Sequence, residues 1–463
     1  MAEIVADNIS VINSDELEGT TRIDAEYYQP KYLDITNNIK SKKNMCRKDV
    51  DIQSVSGPFG SSLKSSAYKQ SGIPFVRISN LDNFFVNKNE MVYISEEDNN
   101  RLSSSSLKTG DMVLSKVGNT IGVVSIITKD IGICNISENN IGLRFGKITD
   151  EFKYFLLSFL NSKYGKNQIL RLISGNAQPK LNVSDIYNVI SFEPESSNVY
   201  YFYGKISKAK DFFDNSQYLY SQAETLLLES LGIKDIDLSH EPCYEVDSAD
   251  SISANRIDAE HYQPKYERVI ETIKNCRFGW CKLDDKITNI TDKYDPKKKP
   301  EKDFRYIELS NINPSIGVID GYSELKGKDL PSRARMLVKE SDVIISSVEG
   351  SIEKVALVDN HHDGCLASTG FFVFRSKENM LSEYTLVLCK SVLIQKQLEK
   401  LSAGTILTAV PKNLVESIII PNTPKEAQTK IANLIRQSHS ARRQAKELLE
   451  EAKRKVEEMI EKG

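Results

Sequence analysis

The sequence predicts an α+β fold in which two similar lobes, related by pseudo-twofold symmetry, are separated by an antiparallel coiled coil of two long helices. Three observations support this fold. An eleven-residue segment occurs twice in the chain. Each occurrence is followed by a block of short β-branched runs and then by a helical stretch. Each half of the chain ends in a long heptad pattern. The predicted lobes are residues 1–199 and 233–423, and the predicted helices are residues 200–232 and 424–463.

The repeated segment is the strongest signal in the chain. RIDAEYYQPKY at residues 22–32 recurs as RIDAEHYQPKY at residues 256–266, with one difference. The repeat continues at lower identity and pairs Arg144 with Arg375. Its further aligned segments are 75–81 with 306–312, 111–117 with 342–348, and 172–175 with 401–404. A repeat of about 230 residues is too long for a solenoid, so the chain contains a duplicated module.

The strands and short helices of each lobe follow from local composition. Short β-branched runs punctuated by Gly, Asn and Asp predict strands joined by turns. The predicted strands are residues 73–78, 112–115, 121–128 and 141–145 in the first copy, and 305–309, 343–346, 354–358 and 371–375 in the second. The helical stretches that follow are residues 151–164 and 383–401.

Each copy ends in a helix whose apolar residues recur with the 3-4 spacing typical of a coiled coil. The predicted interface residues are Ile206, Phe213, Tyr220 and Leu227 in the first helix, and Ile431, Leu434, Leu448 and Met459 in the second. Four heptads span about 40 Å, which is close to one DNA turn of roughly 34–36 Å. The alternative is two amphipathic helices that each pack on their own lobe.

Charge and cysteine usage limit the function classes. A net charge of −3 argues against a protein that coats nucleic acid by charge alone, although residues 40–77 and 293–339 are locally basic. Seven cysteines with no secretory leader and no long apolar run predict reduced thiols in a cytoplasmic protein. The HHDGC run at residues 361–365 is the best metal candidate. A polar turn explains it better, so no metal is predicted.

Four local patterns together resemble the specificity subunit of Type I restriction-modification enzymes. They are the repeated segment, GPFGS at 57–61 with GIPFVRI at 72–78, GDMVLSKVG at 110–118, and SGNAQP at 174–179. The resemblance covers essentially the whole chain. The second copy departs from it, since it lacks the GPFG loop and carries SVEG at 347–350 where the first has KVGN.

The resemblance implies that each lobe is a target recognition domain for one half of a bipartite DNA site. The long helices would act as spacer and dock two methyltransferase (M) subunits, which bind S-adenosylmethionine. Restriction-translocase (R) subunits, which use ATP and Mg²⁺, join some complexes. The chain itself would hold no cofactor and no catalytic residue, and would have no membrane partner.

Polar turn residues are the candidates for reading bases. Lys116 and Asn119 follow one predicted strand, and Ser347 and Glu349 occupy the equivalent turn. Lysine can donate to guanine, asparagine can pair with adenine, and glutamate can accept from cytosine. The alternative is a hairpin turn whose side chains are simply solvated.

Basic residues in loops are the candidates for phosphate contact. They are Lys64, Lys69, Arg77, Lys297, Lys298, Lys299, Arg333 and Arg335. Arg144 and Arg375 match across the copies and predict a shared role, either phosphate contact or a structural salt bridge. A DNA-reading element should differ between half-sites, so the nearly identical segment at 22–32 predicts framework or the docking of two identical M subunits.

Two rival functions are weighed against this prediction. An enzyme would need a nucleotide-binding or methyltransfer motif, and we find no GxGxxG, Walker loop or Asn/Asp-Pro-Pro-Tyr/Phe tetrapeptide. A coiled-coil adaptor or decoy protein of the restriction system would lack sequence-selective binding. The loops diverge while the scaffold is kept, which favours the reader.

Overall fold

A computed structural model of the chain describes residues 3–6, 9–12, 17, 22–42, 44–46, 51–58, 60–175, 179–254, 256–377, 379–402, 410 and 412–462. The chain divides into two compact units. Unit 1 is residues 1–212 with 444–463, and unit 2 is residues 213–443. Among the described helices, none is both long and apolar enough to cross a bilayer.

Unit 1 is a mixed α+β structure. Its elements in chain order are β1 (Glu3–Ala6), β2 (Ile9–Val11), α1 (Pro30–Lys40), β3 (Asn44–Cys46), β4 (Ile52–Ser56), β5 (Ile73–Val76), β6 (Phe84–Phe85), β7 (Val92–Ile94), α2 (Glu96–Arg101), β8 (Ser106–Leu107), β9 (Met112–Ser115), β10 (Val124–Ile126), β11 (Cys134–Ile136), β12 (Asn140–Phe145), α3 (Asp150–Asn161), α4 (Lys163–Arg171), β13 (Ile190–Phe192) and the first part of α5 (Ser196–Leu231).

Unit 2 is built from the same kinds of element. They are the last part of α5, α6 (Ser248–Ala254), α7 (Pro264–Lys274), β14 (Trp280–Lys282), α8 (Leu283–Lys286), β15 (Ile287–Asn289), β16 (Asp303–Ile307), β17 (Ile312–Asn313), β18 (Val318–Ile319), β19 (Ser323–Lys326), β20 (Ala334–Leu337), β21 (Val343–Ser346), β22 (Val355–Leu357), β23 (Leu366–Ser368), β24 (Phe371–Ser376), α9 (Ser382–Lys390), α10 (Val392–Ser402), β25 (Ile419–Pro421) and the first part of α11 (Lys425–Lys462). The last part of α11 belongs to unit 1.

The main sheets of the two units share their strand order except at one edge. The order β4-β12-β9-β10-β6 in unit 1 corresponds to β15-β24-β21-β22 in unit 2, where no strand among the described residues takes the place of β6. The order β7-β5-β11-β8 corresponds to β19-β16-β23-β20, and β3 pairs with β13 as β14 pairs with β25. The duplication seen in sequence therefore extends to topology.

The central strands carry the core of each unit. All four residues of β9 and all four of β21 are buried. These strands were predicted at the bounds the structure has. Their continuous apolar runs, in place of alternation, are typical of strands covered on both faces.

The helical stretches predicted at 151–164 and 383–401 are each interrupted. In unit 1 the break falls at Ser162, whose backbone is extended and whose hydroxyl accepts the Gly165 N–H at the start of α4. A Cβ on Gly165 would lie 2.2 Å from the Phe159 carbonyl oxygen, so the tight junction requires glycine. In unit 2 the break falls at Ser391, which also has an extended backbone.

Helices α5 and α11 carry buried lines with heptad spacing. Ile206, Tyr220 and Leu227 are buried in α5, and Phe213 is half-buried. In α11 the buried residues are Ile431, Ala432, Ile435, Ser438, Ala441, Arg442, Ala445, Leu449, Ala452, Val456 and Ile460. Leu434, Leu448 and Met459, which were predicted as interface residues, are half-buried beside this line.

The two helices contact each other inside each unit. In unit 1 the carboxylate of Glu451 accepts from the Tyr201 hydroxyl at 3.0 Å and from Lys205 Nζ at 2.9 Å. In unit 2 the Ser216 and Ser438 hydroxyls lie 3.2 Å apart, and the Arg442 guanidinium lies 4.0 Å from the centroid of the Phe213 ring. The partners in unit 2 run in opposite chain directions, so this pairing is antiparallel.

Candidate nucleic-acid interface

In unit 1, separate sequence motifs meet around Lys116, in the turn after β9. The Lys116 N–H donates to the Asn139 carbonyl at 3.1 Å, and its own carbonyl accepts the Leu181 N–H at 2.9 Å. The Lys116 Nζ lies 3.2 Å from the Ser56 Oγ at the end of β4. The loop after β4, the turn after β9 and the segment near 180 are therefore held together by hydrogen bonds.

The loop that begins at Gly57 is fixed beside this turn. A Cβ on Gly57 would lie 2.0 Å from the Ser137 carbonyl oxygen, so only glycine fits there. The Gly60 N–H donates to the Glu138 carboxylate at 2.6 Å. We call Ser56, Gly60, Lys116, Glu138 and Lys180 the Lys116 cluster.

Lys116 is half-buried in this cluster, and burial lowers the pKa of its ammonium group while the Glu138 carboxylate opposes that shift. Lys180 also lies close enough to lower the pKa of Lys116. A partly desolvated ammonium group gains from a further hydrogen-bond acceptor. The cluster therefore suits contact with an acceptor-bearing ligand.

At the equivalent turn, unit 2 has the same two backbone hydrogen bonds but different side chains. We call these shared backbone hydrogen bonds the frame. The Ser347 N–H donates to the Gly370 carbonyl at 2.8 Å, and the Ser347 carbonyl accepts the Val410 N–H at 2.9 Å. Ser347, Gly370 and Val410 are the repeat equivalents of Lys116, Asn139 and Leu181. The hydroxyl of Ser347 also donates to the Gly370 carbonyl, at 3.0 Å.

A segment that lies mostly in unit 2 matches a known family. Residues 282–454 match the family model described as "Type I restriction modification DNA specificity domain". This segment is similar to Type I specificity domains. The resemblance drawn from the sequence is thereby confirmed for this part of the chain, and the duplicated topology extends the same architecture to unit 1.

Solved structures of specificity subunits are also similar to this chain. One is the S subunit of a Type I restriction-modification system from M. genitalium, with 12% identity, 90% of this chain and 94% of that chain covered, and a TM-score of 0.41. Another is the HsdS subunit from Thermoanaerobacter tengcongensis, with 13% identity, coverage of 91% and 96%, and a TM-score of 0.29. A search of curated proteins gave no match.

The predicted base-reading residues lie in equivalent turns of the two units. Glu349 is exposed, whereas Ser347 is buried and its hydroxyl is engaged with Gly370. Asn119 lies in a 3-10 turn over Gly118–Thr120, and its side chain lies outside the described residues, as do Phe59 and residues 176–178 and 403–404 of the motifs.

The predicted phosphate contacts fall into exposed and engaged groups. The exposed residues are Lys64, Lys69, Lys297, Lys298, Lys299 and Arg333. Arg77 donates to the Glu90 carbonyl, and Arg335 forms an ion pair with Asp295 at 3.0 Å. DNA contact by these residues stays a prediction.

The matched arginines Arg144 and Arg375 hold different partners. Arg144 donates to the carbonyls of Ser103, Ser104 and Ser106 at 2.7–3.0 Å. Arg375 forms a two-point ion pair with the buried Asp342, at 2.8 Å for each contact. Each guanidinium therefore ties a strand edge to its own unit.

A 3-10 turn over Asn360–His362 leads into the HHDGC run. The Nδ1 of His362 lies 2.6 Å from the Asp359 carboxylate, and the Arg305 guanidinium contacts the carbonyls of His361 and Asp363. Within the described ranges, no group of three or more His, Cys, Asp or Glu side chains is arranged to hold a metal ion.

Sequence reasoning missed three members of the Lys116 cluster. Ser56, Glu138 and Lys180 are distant from Lys116 in sequence, and they join it only through strand pairing and backbone bridges. A signal for Glu138 was present, because it follows Ser137, which the repeat aligns with Ser368.

Proposed function

We propose that this chain is the DNA sequence-recognition subunit of a Type I restriction-modification complex. Each unit would read one half of a bipartite, asymmetric target. The observation that carries this proposal is the shared frame at the turns after β9 and β21, which presents different side chains in the two units. A shared frame with changed side chains is what two readers of unlike half-sites require.

The chemistry of each turn suggests what it reads. In unit 1 the partly desolvated Lys116 would donate to the O6 and N7 acceptors of a guanine. In unit 2 the exposed Glu349 would accept from the amino group of a cytosine. Asn119 and Ser347 would complete the two turns, and the exposed loop lysines would hold phosphates.

The long helices would act as the spacer between the two readers, as an antiparallel coiled coil. Helix α5 has 36 residues and α11 has 38, so each is about 54–57 Å long. That length exceeds one turn of duplex, roughly 34–36 Å. The proposed division is residues 1–199 and 233–423 for the recognition domains, with residues 200–232 and 424–463 as spacer helices.

The catalytic chemistry would belong to partner subunits in the cytoplasm. Two M subunits would supply S-adenosylmethionine and methylate adenine. In the restriction form, R subunits would supply ATP-driven translocation with Mg²⁺. This chain would contribute affinity for DNA and the choice of target sequence, with no catalytic centre of its own.

The proposal is tested by mapping methylated adenines in DNA from cells that express this chain with its M subunit. We expect one recurring target made of two short, different sequences separated by unspecified bases. Cells that express the M subunit without this chain are the control, and we expect their DNA to lack that target. A single undivided target, or no chain-dependent methylation, would instead support a coiled-coil adaptor or decoy.

A further inference from the structure

In unit 1 the segment before β12 joins the loop after β4 to the turn after β9, and Glu138 lies in this segment. A Cβ on Gly57 would lie 2.8 Å from the Glu138 backbone nitrogen, and the Gly60 N–H donates to Glu138 Oε2 at 2.6 Å. The carbonyl of the next residue, Asn139, accepts the Lys116 N–H. Backbone contacts on both sides therefore fix where the Glu138 carboxylate lies.

The Glu138 carboxylate has an acceptor oxygen that the fold does not use. Its Oε2 accepts from Gly60, whereas its Oε1 has no hydrogen bond to any residue that the structure describes. The side chain is half-buried. A partly desolvated carboxylate oxygen gains from a further hydrogen-bond donor.

The ammonium group of Lys116 supplies donors in the same cluster. It donates to Ser56 Oγ at 3.2 Å, and two of its three N–H donors remain. The Glu138 carboxylate raises the pKa of Lys116 against the effect of burial, so the two charges lie close enough to interact. No direct ion pair joins these two described side chains, so both can bond a ligand.

Both charges are absent from the equivalent positions of unit 2. The strand register makes Thr369 the counterpart of Glu138, as Ser347 is the counterpart of Lys116. The serine that precedes Glu138 is the same in both units. The Gly60 N–H needs one acceptor, which a neutral amide or hydroxyl would also supply. The fold therefore does not require a charged residue at position 138.

We propose that Lys116 and Glu138 together read one G·C base pair in the major groove, the lysine on the guanine and the glutamate on the cytosine. This inference rests on the proposed function, and it adds Glu138 as a specificity-determining residue. The major-groove edge of a G·C pair presents two adjacent acceptors, guanine N7 and O6, and then the amino donor of cytosine. Two donors on Lys116 and one acceptor on Glu138 complement that order.

The order of donors and acceptors also separates G·C from A·T. The major-groove edge of an A·T pair presents the adenine amino donor between two acceptors. Two donors on one ammonium group, with the acceptor to one side, do not match that order. A carboxylate is repelled by phosphates, so Glu138 suits a base amino group and not the DNA backbone. The exposed Lys180 of the cluster would offset this repulsion.

The experiment maps methylated adenines in cells that express the full-length chain with its M subunit, and compares the original chain with Lys116→Ala and Glu138→Gln. The glutamine oxygen can still accept the Gly60 N–H, so the loop is retained, while the amide nitrogen replaces an acceptor by a donor. Thymine O4 is an acceptor where cytosine has its amino group. We therefore expect Glu138→Gln to admit A·T at the base pair that Lys116→Ala relaxes.

The measured quantity is the extent of methylation at targets that differ only in this base pair. We expect the preference for G·C over A·T there to fall by about 5- to 100-fold in Glu138→Gln. The other positions of the target should be unchanged. The matched control is Glu97→Gln, an exposed glutamate of α2 outside the Lys116 cluster, which should keep the original target.

The outcomes separate this inference from the proposed function. If Lys116→Ala relaxes one base pair and Glu138→Gln leaves the target unchanged or relaxes a different base pair, the inference is overturned and the proposed function stands. An equal loss of methylation at every target in Glu138→Gln would mean that Glu138 acts only through the loop or the charge of Lys116, and would also overturn it. The lack of a divided target for the original chain would overturn both.

Discussion

In unit 1 the turn after β9 presents a partly buried lysine beside Glu138 and Ser56, whereas in unit 2 the same turn carries a serine bonded to its own frame and an exposed glutamate. The backbone hydrogen bonds on either side are the same in both turns. The comparison shows that the backbone hydrogen bonds of the turn are the same in both units while its side chains differ.

The same rule applies away from the turns. Arg144 and Arg375 occupy one aligned position, but the first bonds carbonyl oxygens and the second bonds the buried Asp342. The aligned Asp111 instead accepts the backbone N–H groups of Lys108 and Phe145. An identical residue at an aligned position therefore does not imply the same interaction.

The largest expected effect distinguishes these two arginines. Arg375→Ala leaves the Asp342 carboxylate buried without its guanidinium, and we expect unit 2 to lose about 3 kcal/mol. Arg144→Ala frees carbonyls on Ser103 and Ser104, which are exposed and open to water, so we expect a loss of about 1 kcal/mol in unit 1. Hydrogen exchange of the amides in β24 and β12 under increasing urea measures both losses. Equal losses of stability in the two variants would contradict this contrast between the arginines.

A smaller expected effect is a difference between the units in how their stability depends on pH. All five histidines of the chain lie between residues 213 and 443, in unit 2. Burial lowers the pKa of His261 and of His439 below the ordinary value of 6.5. The unfolded chain therefore takes up protons first as the pH falls. The stability that these groups contribute is present above pH 6.5 and is lost as the pH falls through their folded pKa values.

We accordingly expect unit 2, and not unit 1, to lose stability in this window. Hydrogen exchange corrected for its intrinsic pH dependence would measure the free energy of opening for each unit at several pH values. The double variant His261→Gln and His439→Gln should flatten the pH dependence of unit 2. A parallel decline of unit 1 would contradict the assignment, since no histidine lies in it.

Periodicity and the repeat predicted the elements whose signal is local. Strands β9 and β21 were predicted at their bounds, because both are continuous buried runs ended by polar turns. The breaks at Ser162 and Ser391 were not predicted, since the apolar pattern continues across them and only the backbone conformation ends the helix.

The site was less predictable than the fold. Lys116 lies on a turn after a strand, as predicted, and its contact with DNA stays a prediction. Its neighbours Ser56 and Glu138 come from other loops. In α11 the sequence placed the seam at Leu448, whereas the adjacent Leu449 is buried. A heptad pattern with apolar residues at neighbouring positions fixes the helix, but its rotation depends on tertiary packing.

The central claim is that each unit reads its own half-site through the turn on the shared frame. The most direct test maps methylated adenines for Lys116→Ala and Glu349→Ala, with Lys108→Ala, an exposed lysine away from the cluster, as control. We predict that Lys116→Ala relaxes one base position in one half of the target, by about 1–3 kcal/mol of discrimination, and that Glu349→Ala relaxes only the other half. Relaxation of both halves by either variant, or unchanged targets in both, would contradict the account.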